Sequence, residues 1–210
     1  MLAASGKYRR TLELLSAAGA ALAIAASIEF LDQPVIGLLH GVVTDAVIDV
    51  GVLLGALGSP IPYFLVSTPV FLFLKFHEQK ILQANRALFV LLNSTTAPFF
   101  TDLLKPLFGR SRPHLWWEQG IYTFRFLTNS LDFSSFPSEH ATVAAAMAGT
   151  LSTLLPEYRP TFFLLATIVA FSRVVIGVHY PSDVIAGILI GSVSVAVVRA
   201  SFRYYKLGLR

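Results

Sequence analysis

The chain has 210 residues, of which 55% are hydrophobic and only 13% charged; it carries a formal charge of +4 and no cysteine. Soluble domains carry about 25% charged residues, so half that share, with a mean hydropathy of +0.67, makes lipid the main solvent. Disulfides and thiolate metal sites are excluded, and the positive balance is not that of a nucleic-acid binder, because no basic run and no alternation of basic and aromatic residues accompanies it.

Lys7, Arg9 and Arg10 precede an apolar run from about residue 11 to 31. Its length exceeds the roughly 7–15 apolar residues of a signal peptide and no cleavage site follows, so it reads as a retained first span. Asp32, Gln33 and Pro34 end it. From Val35 to Gly58 the apolar pattern is broken by His40, Asp45 and Asp49, which fits an interfacial or re-entrant helix better than a span. Residues 61–76 read as a second span, closed by Lys75, His77, Glu78 and Lys80.

The third span runs from about 82 to 108 and holds a polar cluster, Asn93-Ser94-Thr95-Thr96, followed by Pro98 and Asp102. Polar groups at such depth face other helices or a wet cavity. Residues 109–137 form the long polar connection, with Trp116, Trp117 and Tyr122 suited to the headgroup layer. Spans four to six are expected at about 138–155, 161–176 and 181–199. Small residues four apart, Ala144/Ala148 and Gly187/Gly191, predict close helix contacts. With no repeat, linker or low-complexity tract, the expectation is a single domain over residues 1–210: an all-α, six-span bundle with a short interfacial helix between spans one and two.

Placing the N-terminus in the cytoplasm and alternating the spans leaves Lys7, Arg9, Arg10, Lys75, Lys80, Arg86, Arg159, Arg199, Arg203, Lys206 and Arg210 inside, and Lys105, Arg110, Arg112, Arg125 and Arg173 outside. That bias obeys the positive-inside rule. It also puts three polar islands on one membrane face: Lys105 to Arg112-Pro113, Pro137-Ser138-Glu139-His140, and Ser172-Arg173 to His179 and Asp183.

Each island has an ordinary reading. Lys105, Arg112 and above all Arg110 suit snorkelling at an interface; Ser138 suits a helix N-cap; His179 and Asp183 suit a structural pair beside Pro181. Together they suit a phosphate. Arg grips a phosphate as a planar fork and Lys as a point charge, and the first turn of a helix at Ser138 offers backbone N–H groups. Asp183 can reach back to fix the tautomer of His179, whose other nitrogen then acts as nucleophile, while His140 serves as acid and base.

In this order and spacing the islands resemble the motifs of the type 2 phosphatidic acid phosphatase superfamily of integral-membrane lipid phosphatases: Lys, six residues, Arg-Pro; Pro-Ser-Gly-His; and Ser-Arg, five residues, His, three residues, Asp. The resemblance implies a phosphohistidine at His179, oriented by Asp183, with His140 as acid. Lys105, Arg112, Ser138 and Arg173 would hold the phosphate, together with the backbone of Glu139, and neither metal nor other cofactor would take part. Glu139 departs from the family's glycine, which bears on phosphate geometry and substrate choice.

The expected substrate is a lipid phosphate (a prenyl diphosphate, phosphatidylglycerophosphate, phosphatidate or lipid A) reached from the surrounding membrane lipids. A bacterial inner membrane with the site facing the periplasm or exterior is the expected setting. A lipid phosphotransferase using the same intermediate is the main alternative. A vanadate-dependent oxidase and a non-enzymatic membrane scaffold fit less well, the first because of the apolar spans and the second because the catalytic set is complete.

Overall fold

The computed structural model describes residues 2–209, with side chains from residue 15 to 209. Lys7, Arg9, Arg10 and Arg210, which enter the charge count above, lie outside the residues whose side chains are described. The chain forms helices α1 (Leu2–Phe30), α2 (Asp32–His40), α3 (Asp45–Leu57), α4 (Pro60–Leu72), α5 (Ile81–Phe108), α6 (Pro113–Gln119), α7 (Glu139–Leu154), α8 (Arg159–Val175) and α9 (Pro181–Tyr204). Among the described residues there is no strand, only an isolated bridge between Arg110 and Phe124.

Local sequence explains the boundaries. Ser59 caps α4, its Oγ accepting from the N–H of Ile61, and Pro60 opens the first turn, where its missing N–H costs nothing. Gly109 closes α5 at φ 55°, its N–H bonded to the Lys105 carbonyl. A Cβ there would stand 2.6 Å from the carbonyl carbon of Arg125, so the reversal of the chain after α5 requires glycine.

Helix α7 is the axis of the bundle. It packs on α9, α8 and α5, and its alanines 141, 144, 145, 146 and 148 are all buried. Gly187 and Gly191 of α9 face it: a Cβ on Gly187 would meet the Ser138 carbonyl oxygen at 2.5 Å, and one on Gly191 would meet the Ala146 nitrogen at 3.0 Å. The small-residue spacing therefore sets how closely these two helices approach. The polar cluster of α5 also points inward. Asn93 and Ser94 are fully buried, and the Thr96 hydroxyl lies 2.9 Å from that of Ser194 on α9.

The outer surface is apolar, with Leu22, Leu38 and Leu53 each more than 70% exposed, the inverse of a soluble domain. By length and composition four stretches are long and apolar enough to cross a membrane: Asp45–His77, Ile81–Phe108, Pro156–Val175 and Pro181–Tyr204. A fifth is added if residues 15–30 and Asp32–His40, bent by 52°, count as one. The sequence reading therefore holds at the level of an all-helical integral membrane bundle. Against the six expected spans, α7 has 16 residues, and the segment read as an interfacial helix continues into the second span as one stretch of 33 residues.

Candidate active site

The three islands meet at one end of the bundle, where α7 and α9 begin and α5 and α8 end. Ser138 ties the two starting helices together. Its Oγ accepts from the N–H of Ala141, capping α7, and its own N–H donates to the Asp183 carbonyl at 3.0 Å. Arg173, Lys105, Arg112 and the imidazole of His179 all lie near enough to act electrostatically on His140, so residues from all three islands surround the second imidazole.

His179 sits in the turn before α9, 4% exposed. Its Nδ1 lies 2.8 Å from the Ser135 carbonyl oxygen, an acceptor that obliges Nδ1 to carry the proton. The lone pair is then on Nε2. Burial lowers the pKa of His179 against the pull of Asp183, which favours the neutral ring. The spacing of His179 and Asp183 assigns the orienting role to Asp183 alone. In the fold Asp183 Oδ2 stands 3.6 Å from Nδ1, too far for a hydrogen bond, and the Ser135 carbonyl provides it instead. Asp183 acts on the ring by charge and holds Ser135 in place, accepting from the Ser135 hydroxyl at 2.6 Å and from the N–H of Tyr180 at 2.8 Å.

Arg110 is a correction. Its position beyond the end of the third span suits a snorkelling side chain, yet it is 1% exposed. It donates through Nη1 to Asp183 Oδ1 at 2.5 Å and through Nη2 to Asp32 and to the hydroxyl of Tyr122, with its guanidinium carbon 4.4 Å from the ring centre of Tyr180. Burial opposes its charge, but Asp183 and Asp32 outweigh that cost and hold its pKa above the ordinary value. Asp32 is likewise more than a span terminator. It is fully buried and accepts from the Ser27 hydroxyl, from Ser182 through both N–H and hydroxyl, and from Tyr122. The bend between α1 and α2 is thus pinned to the start of α9.

The three cations assigned to phosphate are held differently. Arg112 donates to the carbonyls of Leu131 at 3.0 Å and Val178 at 3.3 Å and to the Ser134 hydroxyl at 3.1 Å. Arg173, 5% exposed, donates to the Ser172 hydroxyl and the Gly51 carbonyl. Lys105 is paired with Glu139 at 2.6 Å and with Asp102 at 3.1 Å.

The reach of α3 over the site was missed from sequence. A Cβ on Gly55 would stand 2.5 Å from Arg173 Nη1, and one on Gly58 would stand 2.9 Å from the His140 carbonyl. Glycines at 51, 55 and 58, one helical face apart, were the available signal. Ser135 had none, since it works through its carbonyl.

This helical membrane bundle, with two histidines and three cations brought to one end, belongs to the PAP2 superfamily, whose family model matches residues 86–206 and so spans all three islands. Among curated relatives, the lipid A 1-phosphatase of Rhizobium etli is 40% identical over 90 residues, covering 43% of this chain and 39% of that protein. The undecaprenyl-diphosphatase of Sulfolobus acidocaldarius is 44% identical over 59 residues, 28% of this chain and 29% of that one. The chain therefore matches less than half the length of either. The crystal structure of the transmembrane PAP2 type phosphatidylglycerolphosphate phosphatase from Bacillus subtilis superposes with a TM-score of 0.60 at 22% identity, over 87% of this chain and 92% of that one. That of Aquifex aeolicus LpxE gives 0.54 at 23% identity, over 81% and 95%. At these identities the two structures share the fold.

Proposed function

We propose that this protein is a lipid phosphatase that removes a phosphate monoester or diphosphate group from a membrane lipid through a phosphohistidine on His179. The observation that carries the reading is the hydrogen bond from Nδ1 of His179 to the Ser135 carbonyl, 2.8 Å, which in the neutral ring puts the lone pair on Nε2. Nε2 attacks phosphorus, a P–N bond forms and the P–O bond to the lipid breaks. His140 gives a proton to the departing oxygen, and in the second step takes one from water as that water attacks the phosphohistidine. Lys105, Arg112, Arg173 and the capped first turn of α7 at Ser138 and Glu139 hold the equatorial oxygens. Asp183 stabilises the imidazolium formed when the bond to Nε2 is made.

The substrate is an amphiphile. A groove of about 460 Å³ between α4 and α5 is lined by Ile61, Phe64, Leu65 and Phe99 and ends at Asp102 and Glu139, beside Lys105. It gives an acyl or prenyl tail a seat with its phosphate at the end where Lys105 stands between these two carboxylates. Lipid A, prenyl diphosphates, phosphatidylglycerophosphate and phosphatidate all have this form, and the two curated relatives name the first two. The site belongs on the membrane face opposite the basic N-terminus, the periplasmic side of a bacterial inner membrane, with α1 and α7 completing six spans in a single domain.

The test is phosphate release by purified protein in detergent from a panel of these four lipids. At least one is hydrolysed, His179→Ala lowers kcat by about 10³-fold or more, and acid-labile phosphate is trapped on His179 of the wild type. Release from none of the four, or full activity in His179→Ala, rejects the reading.

A further inference from the structure

The end of the bundle remote from the histidines carries a second cationic cavity. Three arginines reach it from two helices: Arg159 at the start of α8, and Arg199 and Arg203 in the last turns of α9. They border a space of about 530 Å³ whose wall includes Ser152, Phe163 and Val195. Arg199 and Arg203 are four apart on one helix, a like-charge pair that destabilises an isolated helix. Yet among the described residues none of the three arginines is in an ion pair. The wall adds a second observation: the Ser152 Oγ is buried and without a hydrogen-bond partner, which is unfavourable if left unmet.

A basic rim, an unsatisfied hydroxyl and an apolar floor are what a phosphate on an apolar tail requires. The geometry points to a binding site for the phosphate headgroup of an anionic phospholipid, with two or three arginines on the phosphate, Ser152 turning about its Cα–Cβ bond to donate to it, and the first carbons of the tail against Val195 and Phe163. Its surroundings favour a lipid over a free anion. The neighbouring outward residues Leu164, Val193 and Val197 are each more than half exposed, so the cavity opens beside the lipid-facing wall. From His140 to Ser152 is about 18 Å along α7 at 1.5 Å per residue, so this site is distinct from the phosphatase centre and lies towards the other end of the bundle. It needs no assumption about catalysis.

The experiment uses the full chain in a neutral detergent, titrated with phosphatidylglycerol (an anionic diester), phosphatidylcholine (zwitterionic) or inorganic phosphate, with thermal unfolding and native mass spectrometry as readouts. Phosphatidylglycerol is expected to stay bound through mild activation and to raise Tm, phosphatidylcholine to do neither, and inorganic phosphate to raise Tm no more than sodium chloride does. Arg199→Gln/Arg203→Gln should weaken phosphatidylglycerol binding at least about tenfold, whereas Lys105→Ala, at the other end, should leave this binding in place. Arg159→Gln, whose side chain is exposed on a helix terminus, gives a several-fold loss and serves as the test if the double variant does not fold. Equal retention of both lipids, wild-type affinity in the arginine variants, or stabilisation by inorganic phosphate alone would each overturn the assignment.

Discussion

Lys105 Nζ lies 2.6 Å from Oε2 of Glu139, so the cation that the first motif offers to phosphate is already paired with the one residue that departs from the second motif. Asp102, one helical turn before Lys105, stands 3.1 Å from the same nitrogen. A substrate phosphate has to displace or share this arrangement, and its own charge repels both carboxylates. Glu139→Gln removes one carboxylate at constant size, and Glu139→Gly restores the family residue. Both are expected to lower KM for a lipid phosphate and the inhibition constant of orthovanadate by about three- to tenfold, a difference of about 1 kcal/mol, with a smaller change in kcat. Unchanged inhibition constants in both variants would show that Glu139 does not compete for Lys105.

Arg110 joins two carboxylates from distant parts of the chain, Asp32 and Asp183, with all three side chains no more than 1% exposed. Removing one member of a buried ion network leaves charge without compensation and costs about 3–5 kcal/mol. Arg110→Met strands both carboxylates and should lower Tm strongly and abolish activity. Asp32→Asn strands neither Arg110 nor Asp183, so it should cost less and retain measurable hydrolysis. Circular dichroism melts in detergent compare the two. A mild Arg110→Met would mean the network positions the helices without supporting them.

The contrast between these residues marks how far the sequence could be read. Lys105, Arg112, Arg173, His140, His179 and Asp183 were legible because each is an expensive group in an apolar chain, and the expense is visible without coordinates. Arg110 is equally expensive, but an arginine past the end of a span is normal, and nothing local tells a buried one from a snorkelling one. Its partner Asp32 is 78 residues away, a separation no local pattern bridges. The helical class followed from composition, whereas the number of spans did not. Helix α7 is sheltered by α5, α8 and α9, so its length need not match a bilayer, and its alanines report close packing and not lipid exposure.

His179 gives a pH dependence whose sign follows from burial. Its pKa in the folded protein is depressed below the ordinary 6.5. Between that depressed value and 6.5 the unfolded chain binds a proton that the folded chain does not. The contribution of His179 to stability is therefore present above pH 6.5 and declines as pH falls from 6.5 towards the folded value. The same depression keeps Nε2 nucleophilic, so the acid limb of kcat/KM should lie below pH 6.5. Asp183 works to raise this pKa, so Asp183→Asn should move the limb lower still while reducing kcat by about 10²-fold or more. An acid limb at or above 6.5 in the wild type would contradict the neutral, buried ring.

Two glycines should answer the same substitution differently, because one faces the end of a side chain and the other a backbone. Ala for Gly within a helix is intrinsically favourable by about 1 kcal/mol. At Gly187 the new Cβ would meet the Ser138 carbonyl oxygen at 2.5 Å, and neither helix can yield without moving both motifs, so Gly187→Ala should lower Tm by several degrees and cut kcat. At Gly55 the Cβ meets Arg173 Nη1 at 2.5 Å and Cζ at 2.9 Å, atoms at the tip of a flexible chain. Gly55→Ala should therefore keep Tm within a few degrees while pushing the guanidinium off the Gly51 carbonyl and away from the phosphate seat. The expected signature is a KM raised about tenfold, the loss of roughly one charged hydrogen bond, with kcat changed much less. Helix α3 would then bear on catalysis only through the side chain it covers. An equal loss of Tm in both variants would show instead that α3 is as rigidly packed as the α7–α9 pair.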